Sequence, residues 1–189
     1  MMKTAKPSLI VDSVAVAVKF YTDKLAFDIV DLCVAKEGHT LNYAELKKGK
    51  ASLMLIAPTV EELVEFSQIK HLSNRASGVY FEIKKGIEKY FERCKLKGVT
   101  IVEELKEMPW GQKIFKVRDP FGFKLAFAQD IEGFKNPNKY NFCGLTIDMS
   151  KGEEANMDRM IVYVRGFGLS RRAAKKYAKG WFKNLKKAK

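Results

Sequence analysis

Histidine and cysteine are scarce in this chain of 189 residues, so few side chains are available for disulfide bonds or for His and Cys metal sites. The sequence holds two histidines, His39 and His71, and three widely spaced cysteines, Cys33, Cys94 and Cys143. An odd number of distant cysteines argues against a disulfide framework and against a CxxC metal site. We therefore interpret the three thiols as free, and as buried or half-buried.

Long apolar runs are missing as well. No stretch approaches the roughly 18–20 apolar residues that a membrane-spanning helix needs. The first residues, MMKTAKPSLIVDS, have neither an adequate apolar segment nor a cleavage site for a secretory signal. The sequence therefore predicts a cytoplasmic protein with no transmembrane segment. It also lacks the G-x-S-x-G, P-loop, G-x-G-x-x-G and HExxH motifs.

Positive charge is concentrated near the C-terminus. The formal net charge is +13, and residues 131–189 hold 14 Lys and Arg against 5 Asp and Glu. Residues 1–130 hold 21 against 17, so this larger part is nearly neutral. A basic segment of this kind indicates an acidic partner, which would be a nucleic acid, a membrane surface or another protein chain.

The order of predicted elements repeats once along the chain. The first copy, at about residues 7–57, has a short strand, a helix and three strands. A connector helix capped by Thr59 follows, and the same order returns at about residues 77–128. The predicted fold is α+β, with two βαβββ modules forming a curved mixed sheet around a trough. Such a trough is a natural site for a small ligand.

Three segments together resemble the glyoxalase/bleomycin resistance/dioxygenase group, also called the vicinal oxygen chelate superfamily. They are IVDSVAVAVKFYTDKLAFDIV, GVYFEIKKGIEKYFERCKLKGV and PWGQKIFKVRDPFGFKLAF. The resemblance covers about residues 7–130, and the predicted domain is 1–130. The Asp119-Pro120-Phe121-Gly122 segment is also expected to form a turn from its residue types alone. The carboxylate accepts backbone hydrogen bonds, proline fixes φ, and glycine permits positive φ. We predict a structural role for Asp119.

The resemblance also implies where a metal ion would be held in metal-dependent members. Those positions fall near Lys6, with Ala5 as the alternative, and at Met54, Gly78 and Ala126. None of these side chains is a ligand for a hard or borderline cation. The sequence therefore predicts no metal and no cofactor, as in the metal-free branch that resembles bleomycin-resistance proteins. Members of that branch bind a compound, often as a dimer, and sequester it.

The small-molecule site is predicted on strand residues that point into the trough. Aromatic faces stack on planar ligands, and strand carboxylates pair with cationic groups. The candidates are Tyr43, Glu45, Met54, Phe81, Glu82, Trp110, Phe115 and Phe127. The predicted function is the sequestration of an antibiotic or another toxic compound by a homodimer. An enzyme of the same superfamily, with Glu45, Glu82 or His39 as base, is the alternative.

Residues 131–189 are predicted to form a basic extension that ends in a helix at about 170–187. Residues 130–144 look like a loop, and MIVYVRGFG is interpreted as a strand. The helix places Ala174, Tyr177, Ala178, Trp181, Phe182 and Leu185 on one face and basic residues on the rest. Three interpretations stay open: the apolar face docks on protein, the helix binds nucleic acid, with the trough as a ligand sensor, or it lies on an anionic membrane.

Overall fold

The computed structural model describes residues 5–35, 40–134, 139–142 and 145–187, which divide into two units. The first unit comprises Met1–Met108 and Gln112–Asp130, and the second comprises Pro109–Gly111 and Ile131–Lys189.

The first unit contains two modules with the same order of elements, which confirms the predicted α+β class. The first module consists of β1 (Ser8–Ile10), α1 (Val14–Asp23), β2 (Asp28–Val34), β3 (Leu41–Lys48) and β4 (Ala51–Ile56). The second consists of β5 (Gly78–Glu82), α3 (Ile87–Leu96), β6 (Thr100–Met108), β7 (Gln112–Arg118) and β8 (Lys124–Asp130). Helix α2 (Leu63–Ala76) connects the modules, and Thr59 and Glu62 form the reciprocal hydrogen bonds of a capping box before it.

Each module forms its own four-stranded mixed sheet. The strand orders are β1-β4-β3-β2 and β5-β8-β7-β6, so the first and last strands of each module are adjacent. The pair at one end of each sheet, β1 with β4 and β5 with β8, is parallel, and all other pairs in the two sheets are antiparallel. Strands β1 and β5 form one edge of their sheets, and β2 and β6, beside the antiparallel neighbours β3 and β7, form the other edge.

Helix α1 follows from local signals in the sequence. The side chain of Ser13 caps its N-terminus by accepting a hydrogen bond from the Val16 amide. Val14, Val18 and Tyr21 recur at helical spacing and are buried on the face that packs against β3 and β4. The helix therefore covers one face of the first sheet, where Leu46, Leu53 and Leu55 are also fully buried.

One hydrophobic core spans both modules of the first unit. The rings of Phe27 and Phe81 meet edge to face across the modules, with their centroids 5.6 Å apart. The Tyr90 hydroxyl of α3 donates a hydrogen bond of 2.9 Å to the Leu25 carbonyl, which follows α1. The Tyr21 hydroxyl donates to Asp119 at 3.1 Å. The two modules are therefore fixed against each other by aromatic packing and by specific hydrogen bonds.

The second unit has its own small core. It contains β9 (Lys139–Phe142), β10 (Leu145–Asp148), a 3₁₀ turn (Met149–Lys151), α4 (Glu153–Arg165) and α5 (Arg171–Lys187). Strands β9 and β10 form an antiparallel hairpin. The core is formed by residues of β10, α4 and α5, namely Ile147, Met160, Val164, Ala174, Ala178 and Phe182. The predicted C-terminal helix is confirmed, and its apolar face packs inside this unit.

Two sequence interpretations of this region are wrong. The segment MIVYVRGFG, interpreted as a strand, begins within helix α4 and continues beyond its end at Arg165. Its β-branched residues favour strand locally, but Met160 and Val164 are four residues apart and pack together on the α5 side of the core. The segment interpreted as a loop contains strand β9, which is held by its pairing with β10. In the described part of the chain, no helix is both long enough and apolar enough to cross a bilayer.

Candidate functional site

A cavity of ≈ 990 Å³ lies within the first unit and contacts both modules. The first module contributes Phe27 and the β3–β4 hairpin turn, and the second contributes the end of β5, the start of α3 and strand β8. Five aromatic side chains line it: Phe27, Tyr80, Phe81, Tyr90 and Phe127. Its volume and its predominantly apolar lining are those of a site for a small organic molecule.

The aromatic wall is held rigidly by ring contacts. Phe81 and Phe127 are directly opposite in the parallel β5–β8 pair, and their rings stack with centroids 5.2 Å apart. Tyr90 meets Phe127 edge to face at 5.1 Å, and Phe27 meets Phe81. Phe27, Phe81 and Phe127 are at most 7% exposed, so they form the fixed floor of the cavity, and the half-exposed Tyr80 ring offers the accessible aromatic surface. Because the floor is already ordered, a ligand that packs against it costs little side-chain entropy.

Lys48 places a positive charge beside this wall. Its ammonium group donates to the carbonyls of Leu25 at 2.6 Å and of Ala26 at 3.1 Å, just after helix α1 ends. The same group lies 4.4 Å from the centre of the Tyr90 ring, a cation–π contact. Burial, followed by the nearby Arg93 charge, lowers the pKa of Lys48. The two carbonyls hold this amine in one place at the cavity.

The cavity rim carries further charges of both signs. Lys50 and Lys84 are exposed and form no ion pair with the described residues, whereas Glu82 and Asp130 supply negative charge. The Tyr80 hydroxyl donates to Gln112 at 3.0 Å, and the Gln112 amide donates to Asp130 at 2.9 Å.

Tyr80 stays a hydrogen-bond donor over the ordinary pH range. Burial, and then the Glu82 carboxylate, raise the pKa of the Tyr80 hydroxyl. Asp130, at the end of the chain of hydrogen bonds, already accepts from Gln112. Of the two rim carboxylates, Glu82 is therefore the more available to a ligand.

The four positions mapped from metal-dependent relatives do not fit a cation. Lys6 forms an ion pair with Glu45, which lies opposite Met54 in the β3–β4 register. A Cβ atom added at Gly78 would come within 2.7 Å of the Lys124 carbonyl oxygen, so a histidine there would force the β5–β8 pair apart. Ala126 offers no donor atom, and no cluster of three His, Cys, Asp or Glu able to hold a metal is found among the described residues.

The structure separates the eight predicted ligand-binding residues into four places. Phe81, Glu82 and Phe127 line the cavity. Phe115 is fully buried in the core, where its ring stacks on Phe127 with the two ring centroids 5.1 Å apart.

The other four predicted residues lie elsewhere. Tyr43, Glu45 and Met54 share the face of the first sheet that is opposite to the core, where Glu45 is paired with Lys6. Trp110 belongs to the β6–β7 turn, which is part of the second unit. Ligand binding by these eight residues stays a prediction.

Several lining residues were not anticipated from the sequence. Tyr80, Lys84 and Gln112 neighbour predicted candidates, and alternation along a strand alone does not tell which neighbours reach the cavity at a strand end. Lys48 and Lys50 belong to the turn sequence KKGK, which looks like an ordinary solvated hairpin. Their role depends on where the first module meets the second, and this is not a local property of the sequence.

Among the described residues, Cys33, Cys94 and His71 belong to no cluster able to hold a metal. Cys94 is fully buried, and burial raises the pKa of its thiol to about 11, so it is unreactive. The interpretation of Cys33 as buried or half-buried is wrong, because it lies on edge strand β2, which is exposed along its whole length. His71 is exposed on α2, while His39 and Cys143 lie outside the described residues.

A family model described as the Glyoxalase/Bleomycin resistance protein/Dioxygenase superfamily matches residues 4–127. A glyoxalase/bleomycin resistance protein/dioxygenase from Nocardioides is 18% identical, with a TM-score of 0.52 over 72% of this chain and 90% of that chain. A glyoxalase-related enzyme from Clostridium phytofermentans is 16% identical, with a TM-score of 0.54 over 69% of this chain and 97% of its own.

TioX from Micromonospora sp. ML1 is 19% identical, with a TM-score of 0.51 over 70% of this chain and 100% of its own. No curated protein matches the sequence significantly. At these identities the structural likeness establishes a shared fold, and it leaves the ligand to be argued from the site.

Proposed function

Because this chain belongs to the glyoxalase/bleomycin resistance protein/dioxygenase superfamily, we propose that its first unit binds a small aromatic molecule in the ≈ 990 Å³ cavity. The proposed mode is stoichiometric binding that sequesters an antibiotic or another toxic compound. One observation carries the proposal: a rigid set of aromatic rings adjoins lysines for which the described part of the chain supplies no carboxylate partner.

The charges favour an anionic substituent on the ligand. Lys48 is bonded only to carbonyl oxygens, and Lys50 and Lys84 form no ion pair among the residues that the structure describes. Three ammonium groups thus face two carboxylates, of which Asp130 already accepts from Gln112. A sulfonate, carboxylate or phosphate on a planar ring would meet positive charge while the ring packs against the half-exposed Tyr80 and the apolar floor of the cavity.

Binding is proposed to be independent of a metal of the family type. The side chains of Lys6 and Met54 are poor ligands for a hard or borderline divalent cation, Ala126 has no donor atom, and Gly78 has no room for a side chain.

An enzyme that uses the same cavity is the second candidate, because Glu82 lines it and no partner of its carboxylate is found among the described residues. Such a carboxylate could remove a proton from a bound molecule. Glu45 is less suited, since Lys6 neutralises it. The test is to incubate a bound compound with wild-type protein and with Glu82→Gln and to analyse the compound afterwards. If only the wild-type protein alters it, the cavity is the site of an enzyme and the sequestration proposal is wrong.

A second copy of the chain is the proposed partner of edge strand β2. Ile29, Val30, Leu32 and Val34 are between 42% and 52% exposed there. The corresponding edge strand of the second sheet, β6, is protected by charged residues, including Glu103, Glu104, Lys106 and Glu107. An exposed apolar edge strand of this length promotes aggregation unless another surface covers it. In a dimer with two-fold symmetry, strand β2 of each copy would cover strand β2 of the other.

The ligand proposal is tested by thermal unfolding of the full chain with two probes of equal size. Naphthalene-1-sulfonate carries the anionic group, and naphthalen-1-ylmethylammonium carries a cationic one. We expect the sulfonate to raise the melting temperature of wild-type protein more than the ammonium compound does, by mass action on the folded state. We expect Tyr80→Ala to remove that rise. A greater rise with the ammonium probe, or no rise with either, would contradict the proposal.

A further inference from the structure

The apolar face of helix α5 is buried in the core of the second unit. Ala174 and Ala178 are 0% exposed and Phe182 is 1% exposed, and they pack on Ile147 and Met160 of β10 and α4. These residues recur every four positions and define the inner side of the helix. An amphipathic helix that lies on a membrane needs this side for the acyl boundary, and here it is not available.

The outer side of α5 is a continuous cationic surface. We call the six exposed side chains on it the α5 basic face: Arg171, Arg172, Lys175, Lys176, Lys179 and Lys183. None of them has a hydrogen-bond or ion-pair partner among the described residues, although seven ion pairs are found in the first unit. No acidic residue follows Asp158 in the sequence.

Folding of α5 is opposed by these charges. Arg171, Lys175, Lys179 and Lys183 form one row at spacings of four residues, where like charges repel. Arg171 and Arg172 lie in the first turn, which holds no acid and where the helix dipole disfavours cations. The repulsion is relieved when closely spaced negative charges lie along the row.

We propose that the α5 basic face binds the phosphate backbone of nucleic acid without reading its sequence. The helix is about 25 Å long, which corresponds to about 7 base pairs of duplex DNA at 3.4 Å each. The closely spaced phosphates of duplex DNA can therefore lie along the whole row of cations. No apolar residue interrupts this row. This inference does not depend on the function proposed for the first unit.

The test is a fluorescence-anisotropy titration of the full chain with a mixed-sequence DNA duplex of about 20 base pairs, at several salt concentrations. We expect the logarithm of the binding constant to fall with the logarithm of salt concentration with a slope of about −3.5 to −5.5, since about four to six cations are engaged. The variant Lys175→Gln/Lys176→Gln/Lys179→Gln/Lys183→Gln should bind at least about tenfold more weakly, and its slope should be closer to zero by about 3.5.

The matched control removes four exposed lysines of the first unit for which no ion pair is found where the structure describes the chain: Lys19→Gln/Lys85→Gln/Lys89→Gln/Lys97→Gln. It lowers the net charge of +13 by the same amount, and we expect wild-type binding and slope. Circular dichroism checks that the α5 variant keeps its helix content. If it does not, the smaller variant Arg171→Gln/Arg172→Gln is measured instead, with a slope closer to zero by about 2 expected.

Three results would overturn the inference. One is the absence of salt-dependent binding by the wild-type chain, and another is an equal loss in the control and in the α5 variant. The third is retention of DNA binding by the α5 variant while it loses binding to vesicles of anionic phospholipid at about 0.15 M salt. That last result would assign the α5 basic face to a membrane surface.

Discussion

The carboxylate of Asp119 joins the β7–β8 turn to helix α1 of the other module. One carboxylate oxygen accepts from the amides of Phe121 and Phe123 at 3.0 and 2.9 Å, which closes the β7–β8 turn. The other accepts from the Tyr21 hydroxyl of helix α1 in the other module. The backbone role was predictable from the Asp-Pro-x-Gly pattern, as was the positive φ of 101° at Gly122. The bond to Tyr21 was not, because it spans 98 positions of sequence.

Asp119→Ala should lower the free energy of unfolding by about 3 kcal/mol, because three buried or partly buried donors lose their acceptor. Urea unfolding of the full chain measures it. Glu104→Ala, an exposed acid on β6, is the control and should stay within about 0.5 kcal/mol of wild-type. Equal stability of the two variants would show that the Asp119 bonds contribute nothing net.

Asp119 should also make stability depend on pH. Burial raises the pKa of its carboxyl above the ordinary value of 3.8, against the opposing effect of its hydrogen bonds. The folded protein therefore takes up this proton at a higher pH than the unfolded chain does, so falling pH favours the folded state. Relative to Asp119→Asn, the wild-type free energy of unfolding should rise as pH falls from neutral through the folded-state pKa. A difference between the two proteins that does not change with pH would contradict this.

At the scale of elements, short-range signals predicted most of the first unit and less of the second. Ser13, Thr59 and the glycine turns mark helix and hairpin boundaries that the structure reproduces. Helix α4 was missed because IVYV favours strand, while the helix forms through contacts with α5 and β10. The cavity was only partly predicted: Phe81 and Phe127 were found, but Lys48 and Tyr90 become neighbours only when the two modules pack.

Two glycine-to-alanine substitutions should have opposite effects on their elements. At Gly78 the new Cβ would meet the Lys124 carbonyl at 2.7 Å and strain the β5–β8 pair, costing about 1–3 kcal/mol. At Gly180, an exposed interior position of α5 with no atom within 4 Å of the new Cβ, alanine should stabilise the helix by about 0.5–1 kcal/mol. Thermal unfolding of both variants measures the two signs, and a stabilised Gly78→Ala variant would contradict the tight β5–β8 contact.

At the scale of the whole molecule, the proposed self-association through β2 gives a further test. Ile29→Lys/Leu32→Lys places two charges on the exposed apolar edge and should turn a wild-type dimer into a monomer. Val102→Lys makes the same kind of change on edge strand β6 and should leave the dimer intact. Sedimentation equilibrium distinguishes the states. A monomeric wild-type chain, or dissociation by the β6 variant alone, would remove β2 as the interface.

The measurement that bears most directly on the central claim is a fluorescence titration with 1-anilinonaphthalene-8-sulfonate, an aromatic anion, with and without excess EDTA. We expect saturable binding that EDTA does not alter. Tyr80→Ala in the cavity should weaken this binding by about tenfold, and Tyr43→Ala on the far face of the first sheet should not change it. Binding that EDTA abolishes and a divalent cation restores, or that Tyr43→Ala weakens while Tyr80→Ala does not, would contradict the claim of a metal-free aromatic site in this cavity.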